Sequence, residues 1–331
     1  MEKRDIIVIG SSAGGVFALQ EIVASLPLNL DASIFIVQHV SPDSQSLLPK
    51  ILSHKGKLKA VHPTDGEIIE KGMIYIAPPD RHMIIEHNRI LIKKGPKENR
   101  FRPSIDALFR SAAYNYGSRV VGVILTGMLD DGTSGMWSVK RLGGVGIIQR
   151  PEEAAYPSMP TSVLEYVKID YILPLSEIAA KLNELANVPI EVLTKAEIPE
   201  LKMMKTEIEI AAEKNAFENG VLKLGELSPL TCPECNGVLV KLREGNLIRY
   251  RCHTGHAYLS SSLLTDLTDS VDVKLWQALK SLEEIIIVLE QSAEEQLSFN
   301  NVPMSDDLLQ KAEIARNRAD KLHDFIFNTL H

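Results

Sequence analysis

Short apolar runs alternate with longer stretches of helical periodicity over the first 185 residues, which is the pattern of a parallel sheet flanked by helices. The runs predict strands over Asp5–Ile9, Ala32–Gln38, Lys57–His62, Met73–Ile76, Val120–Leu125, Val145–Gln149 and Tyr171–Leu173. Gly15–Leu26 and Ser104–Tyr116 read as helices, the second with Ser104 as its N-cap and Gly117 past its last turn. Met83–Ile92, split by His87-Asn88, reads as a hairpin laid against the sheet. The predicted fold class is α/β: a doubly wound, mostly parallel sheet with helices on both faces.

After Leu185 the pattern changes. Asn187-Val188-Pro189 leads into a charged, helix-prone stretch, Ile198–Glu218, which ends near Gly220 and reads as a linker helix. A cysteine-bearing segment follows from about Leu227 to Ser261. Beyond it, Leu275, Leu279, Leu282, Ile286 and Leu289 form one apolar helical stripe, and Leu308, Ala312, Ala315, Ala319, Leu322 and Ile326 form another. With Asn300–Pro303 between them, the simplest solution is an antiparallel hairpin that buries both stripes, although the same stripes could serve a helical partner. The expected segments are therefore an α/β domain at 1–185, a helical linker at 186–226, a small cysteine-bearing module at 227–262 and a C-terminal helical hairpin at 263–331.

Composition narrows the function. The 331 residues, 45% of them hydrophobic, suffice for about two domains with a sizeable core. A net charge of −7 gives no broad basic footprint for nucleic acid. No apolar stretch approaches the roughly 18 to 20 residues that span a bilayer, so the expectation is a cytoplasmic chain without membrane insertion.

All three cysteines are clustered. Cys232-Pro233-Glu234-Cys235 is followed after 16 residues by Cys252-His253-Thr254-Gly255-His256, the spacing of two knuckles around a tetrahedral zinc ion. The fourth ligand is His253 or His256. Adjacent side chains diverge on an extended chain, whereas the three-residue gap lets His256 swing back around a glycine turn, so the expected set is Cys232, Cys235, Cys252 and His256. Such a closed sphere has no open position, which makes the zinc structural and leaves catalysis without a cofactor. Lys241, Arg243, Arg249 and Arg251 alternate with apolar residues nearby and read as a solvated strand face.

The chemistry concentrates where strands end. The first strand leads into Gly10-Ser11-Ser12-Ala13-Gly14-Gly15, whose Gly-x-Ser-x-Gly spacing allows a sharp turn that lifts Ser12 into the open; Ser11 is the lesser alternative. The second strand delivers His39, preferred over His82 because its strand directly follows the first strand-helix unit; His54, His62 and His87 read as surface or turn residues. The run Val120–Leu125 leads through Thr126-Gly127-Met128-Leu129 to Asp130 and Asp131, between which spacing alone does not choose. A hydroxyl, an imidazole and a carboxylate on one sheet edge are what acyl transfer requires: a nucleophile, a base, and an acceptor that fixes the base's tautomer. The N–H of Ala13 and a donor from the loop near Met128 are the expected oxyanion ligands. The order Ser, His, Asp differs from that of α/β-hydrolases, and a dinucleotide site lacks both Gly-x-Gly and an acidic ribose partner.

Taken together these motifs resemble the CheB-type methylesterases, which remove methyl groups from glutamyl residues of bacterial chemoreceptors. The resemblance rests on Gly10–Gly15, Gln38-His39, Tyr75–Met83, Arg102–Asp106 and Val123–Met128, and covers about residues 5–182. It implies that Ser12, His39 and Asp131 are the catalytic serine, histidine and aspartate, and that glutamine deamidation accompanies ester hydrolysis. Typical members carry a receiver domain before the esterase; here the first strand begins at about Asp5, so phosphorylation control within this chain is not expected. The family's Gly-Asn before the aspartate is Leu129-Asp130, which would add bulk and a second negative charge beside the triad. The segment Glu191–His331 has no counterpart in the simplest members, so the competing reading is an inactive scaffold that binds partners through its C-terminal module.

Overall fold

The computed structural model describes residues 2–43, 45–191 and 198–329, with residues 328 and 329 described as backbone only. Of the expected segments, residues 1 and 44 of the first, 192–197 of the linker and 330–331 of the last lie outside the described residues. The chain divides into two compact units, Met1–Leu263 and Leu264–His331.

The first unit is built on seven parallel strands. They are β1 (Ile6–Ser11), β2 (Ser33–Gln38), β3 (Lys59–Val61), β5 (Met73–Ile76), β8 (Val120–Ile124), β9 (Val145–Gln149) and β10 (Tyr171–Leu173), in the spatial order β10-β9-β8-β1-β2-β5-β3. Helices α1 (Gly15–Ser25), α2 (Leu48–Lys55) and α6 (Leu175–Asn187) cover one face, where Leu19, Ile22, Leu52 and Leu182 meet Ile7, Ile9, Ile34 and Ile36. Helices α3 (Ile105–Tyr116), α4 (Thr133–Arg141) and α5 (Ser158–Tyr166) cover the other, where Leu108, Phe109, Met136 and Val163 meet Ile6, Val8 and Phe35. Every residue of β1 and β2 is buried, as a central parallel strand requires. The hairpin is β6 (His82–Glu86) with β7 (Arg89–Lys93), extended to three strands by β4 (Glu67–Ile68).

The chain leaves β1 for β2 on one side and later returns to β8 on the other. This makes the carboxyl ends of β1, β2 and β8 a topological switch point, where such sheets leave a crevice.

Two expectations need correction. The linker helix is shorter than its pattern, running as α7 from Leu201 to Ala211, and it packs on α3 with Glu207 fully buried. It is followed by an antiparallel sheet of β11 (Glu226–Thr231), β12 (Val238–Glu244), β13 (Leu247–Cys252) and β14 (Ala257–Leu259). On β13, Arg249 and Arg251 do not form a solvated face; both are buried, while Lys241 is half-buried and Arg243 exposed. Their partners come from elsewhere in the chain. Arg249 donates to Glu207 at 3.0 Å and to Glu244 at 2.6 Å, and Arg251 donates to Glu98 at 2.6 Å and to Glu207 at 3.0 Å. Arg110 of α3 completes the network at 3.1 Å from Glu98. Burial would raise Glu98 and Glu207, but the guanidinium groups of Arg110, Arg249 and Arg251 outweigh it and hold both below the usual carboxylate range.

The second unit comprises the rest of α8 (Ser260–Ser298) and α9 (Val302–Thr329). Leu279, Ala319 and Ile326 are buried together with Leu275, Leu282, Ile286 and Leu322 around them, and Ser305 Oγ donates to the Ala293 carbonyl at 3.0 Å near the turn. No helix among the described residues is long and apolar enough to cross a membrane.

Candidate active site

Register brings the three strand ends to one level. Ser11 pairs with Gln38 and Gly10 with Ile124, so Ser12 and His39 emerge side by side one residue beyond the sheet. Gly14, at φ 75°, makes the turn into α1. A Cβ at Gly10 would lie 2.5 Å from Ile105, so only glycine lets α3 approach β1 this closely. Ser11 is the inward hydroxyl of the pair, fully buried and donating to Gln38 Oε1 at 2.8 Å. The Gln38 amide in turn donates to the carbonyls of Ser12 (2.8 Å) and His39 (2.9 Å), tying the two strand ends together.

Ser12 Oγ lies 3.2 Å from His39 Nδ1, and His39 Nε2 lies 2.9 Å from Asp131 Oδ2. An ionised carboxylate only accepts, so Nε2 carries the proton and Nδ1 is the acceptor facing the serine. The Phe101 ring stacks on the imidazole, centroids 3.7 Å apart and planes 11° from parallel, and fixes its orientation.

Asp131 is fully buried and richly hydrogen-bonded. Its Oδ2 accepts the Ile105 N–H at 2.7 Å, and its Oδ1 accepts Asn99 Nδ2 at 3.0 Å, Ser104 Oγ at 2.9 Å and the Asp106 N–H at 3.2 Å. Ser104 thus occupies the N-cap position of α3 but does not cap it; Asp131 does. Burial works to raise Asp131, yet the His39 hydrogen bond and charge, the helix N–H and the Asn99 amide together hold it below its usual value. Asp106 performs the same service for α4, accepting the N–H groups of Gly132 at 3.0 Å and Gly135 at 2.6 Å. Burial and the Asp131 charge push Asp106 well up, so of this pair Asp131 keeps the negative charge.

Asp130 turns away from the imidazole. Its Oδ2 accepts from Ser261 Oγ and, at 3.1 Å, from the Ser262 N–H, while its Oδ1 finds no partner among the described residues. Burial raises it to about 6. His82, the rival imidazole, is buried behind the site; its Nε2 donates to the Pro96 carbonyl at 2.9 Å and its Nδ1 accepts the Ser104 N–H at 3.2 Å.

A cleft of about 390 Å³ opens over Ser12 and His39, walled by Pro42, Asp80, Lys97, Phe101 and Arg102 among others. Arg102 is a scaffold group, gripping Asp80 at 2.6 and 2.8 Å. Exposed Met128 and Phe17 belong to the segments that meet at Ser12. Farther off, Cys232, Cys235, Cys252 and His256 place their ligand atoms within 4.8 Å of one another. His253 instead packs over Gly237.

Sequence reasoning missed Gln38, Asn99 and Phe101 as determinants of the site. Their roles come from contacts made after folding, and the chain carries no local signal for Asn99 or Phe101.

A doubly wound α/β sheet whose carboxyl edge brings serine, histidine and aspartate into hydrogen-bond order has the residue set of the serine hydrolases, with the imidazole turned so that Nδ1 rather than Nε2 faces the hydroxyl. Comparison with known proteins narrows this class: the chain belongs to the CheB methylesterase family, which matches residues 7–182. A putative protein-glutamate methylesterase/protein-glutamine glutaminase of Leptospira interrogans is 39% identical over 176 residues, 53% of this chain and 91% of that protein. The protein-glutamate methylesterase/protein-glutamine glutaminase 2 of Methanosarcina mazei is 36% identical over 190 residues, 55% of this chain but 52% of that protein, so the chain spans about half of that relative. The crystal structure of the Thermotoga maritima CheB methylesterase catalytic domain superposes with a TM-score of 0.53 and 39% identity, over 55% of this chain and 98% of that one.

Proposed function

We propose that the chain hydrolyses methyl esters of glutamyl side chains on a chemoreceptor-type protein. The observation that carries this reading is the unbroken contact line Asp131–His39–Ser12 at the mouth of the cleft. Ser12 Oγ attacks the ester carbonyl while its proton passes to His39 Nδ1, and Asp131 stabilises the imidazolium through Nε2–H. The oxyanion is held by the N–H of Ala13 and one from the loop at Met128, each worth about 3 kcal/mol of transition-state stabilisation. His39 returns the proton to the departing methoxide, releasing methanol, and a water activated by the same imidazole then cleaves the acyl-serine. Deamidation of a glutaminyl side chain follows the same path with ammonia as leaving group, in keeping with the double names of the relatives.

The competing reading, an inactive scaffold, is disfavoured by the intact contact line and by the orientation of Asp130, whose carboxylate hydrogen-bonds away from His39. We read residues 227–262 as a zinc ribbon and the last two helices as a hairpin whose exposed apolar residues, Trp276 and Ile287 among them, suit a helical partner. Free cysteines fit a reducing, cytoplasmic setting.

The purified 331-residue chain incubated with a methylated receptor fragment should release methanol, and Ser12→Ala should release none while keeping its circular dichroism and melting temperature. Methanol release by a clean Ser12→Ala preparation at the wild-type rate would remove Ser12 from this role.

A further inference from the structure

Three thiols and an imidazole crowd together at the end of a strand whose edge reaches the site. Cys235 Sγ lies 3.6 Å from Cys252 Sγ, and His256 Nδ1 lies 3.6 Å from the Sγ atoms of both Cys232 and Cys252. A tetrahedral zinc with bonds of about 2.3 Å to sulfur and 2.0 Å to nitrogen has ligand-to-ligand edges of roughly 3.5 to 3.8 Å. The backbone is already shaped for this. The Asn236 N–H donates to the Cys232 carbonyl at 2.8 Å in one knuckle; in the other, Gly255, at φ 106°, donates to the Cys252 carbonyl at 3.0 Å and the His256 N–H to Cys252 Sγ at 3.2 Å. The far nitrogen of His256 faces the Glu234 carboxylate at 3.3 Å, the outer contact that usually orients a ligating imidazole.

His256 is followed at once by β14, and the free edge of β14 holds the loop from Lys97 to Arg102. The Asn99 N–H donates to the Ala257 carbonyl at 2.8 Å, the Ala257 N–H to the Lys97 carbonyl at 3.2 Å, and the Leu259 N–H to Asn99 Oδ1 at 2.9 Å. The opposite end of that same amide, Nδ2, donates to Asp131 Oδ1 at 3.0 Å and to Asp106 Oδ2 at 2.7 Å. Two residues on, Phe101 stacks on His39. Asn99 is buried and lies outside the residues that wall the cleft, so it acts on Asp131 rather than on substrate.

We propose that Cys232, Cys235, Cys252 and His256 hold one zinc ion, and that the zinc ribbon positions the esterase site by fixing loop 97–102, with Asn99 as the positioning residue that joins the ribbon to Asp131. The proposal rests on the triad reading above. Without the metal, the two knuckles keep the β12–β13 pairing and the Glu234–His256 contact but lose the bonds that clamp their tips together, and the β14 edge that holds Asn99 loosens.

The test uses the full chain. Elemental analysis of wild type should find one zinc per chain. Covalent labelling of Ser12 by a fluorophosphonate ester, which needs no receptor, should slow by about 10- to 100-fold after chelation and recover on adding zinc. Cys235→Ser should lose both zinc and labelling rate. Asn99→Ala, which keeps all four ligands, should retain its zinc and lose about 10-fold or more in labelling rate and in kcat for methanol release, with KM within about twofold. That variant decides the matter if the stripped protein unfolds. Wild type isolated folded and without zinc, chelated protein that labels at the untreated rate, or an Asn99→Ala protein that labels at the wild-type rate, overturns the proposal. Wild type that labels at Ser12 but releases no methanol overturns only the substrate assignment; wild type that does not label at Ser12 overturns both.

Discussion

Two buried clusters of charge lie close together in this protein and are satisfied in opposite ways. Around Asp131 the negative charge is met by backbone N–H groups at the start of α3, by small polar side chains and by His39, with no arginine or lysine bonded to it among the described residues. Around Glu207 it is met by three guanidinium groups, those of Arg110, Arg249 and Arg251. Helix dipoles and amides hold a carboxylate ionised while leaving its strongest remaining interaction to the imidazole, which is what a catalytic partner needs. Arginines would compete for that interaction. They suit a joint instead, where fixed geometry matters and no proton moves, and here they weld β13 and α7 onto α3.

The contrast can be broken at several points. The largest effect belongs to Asp131→Asn, which keeps the shape but removes the charge and reverses the preferred tautomer of His39. It should lower kcat for methanol release by about ten-thousand-fold with the fold retained; a loss under tenfold would mean that Asp131 is not the partner of the base. In the arginine cluster, Glu207→Ala leaves buried guanidinium groups uncompensated and should cost about 3–5 kcal/mol of stability, read from urea unfolding. A cost below about 1 kcal/mol would show the joint to be decorative.

Asp130 sharpens the comparison by failing to belong to either cluster. Its carboxyl is raised from 3.8 to about 6, chiefly by burial, so the folded state keeps a proton that the unfolded chain gives up. Stability from this group is therefore full below about pH 4 and is lost as pH rises towards and past 6, by up to about 3 kcal/mol. Asp130→Asn should melt higher than wild type at pH 7, match it near pH 4 and flatten the profile between; equal melting at both pH values would contradict the shift.

How much of this was readable beforehand depended on how local each cause is. Ser12, His39 and the Asp130-Asp131 pair could be picked out because apolar strands announce where they end, and a parallel sheet collects those ends. The inward turn of Arg249 and Arg251 could not. Their alternation along a strand is the same for a wet face as for a buried one, and what decides between them is Glu98 and Glu207, far away in the chain. Ser104 had the right residue type and backbone for a cap, yet a carboxylate 27 positions later took the role. Asn99 touches residues 131, 257 and 259, and no window on the sequence contains all of them.

The seam between α3 and the arginine-bearing strand also bears on how such a chain can be shortened. Severed after residue 190, the remainder would keep its sheet, its serine and its imidazole, but Arg110 and Glu98 would lose their other counter-ions and Asn99 the two backbone groups it bonds on β14. A minimal version of this protein would therefore keep the Arg110–Glu98 pair, now hydrated on a bared underside, and would need a new tether for the amide of Asn99 to preserve its grip on Asp131.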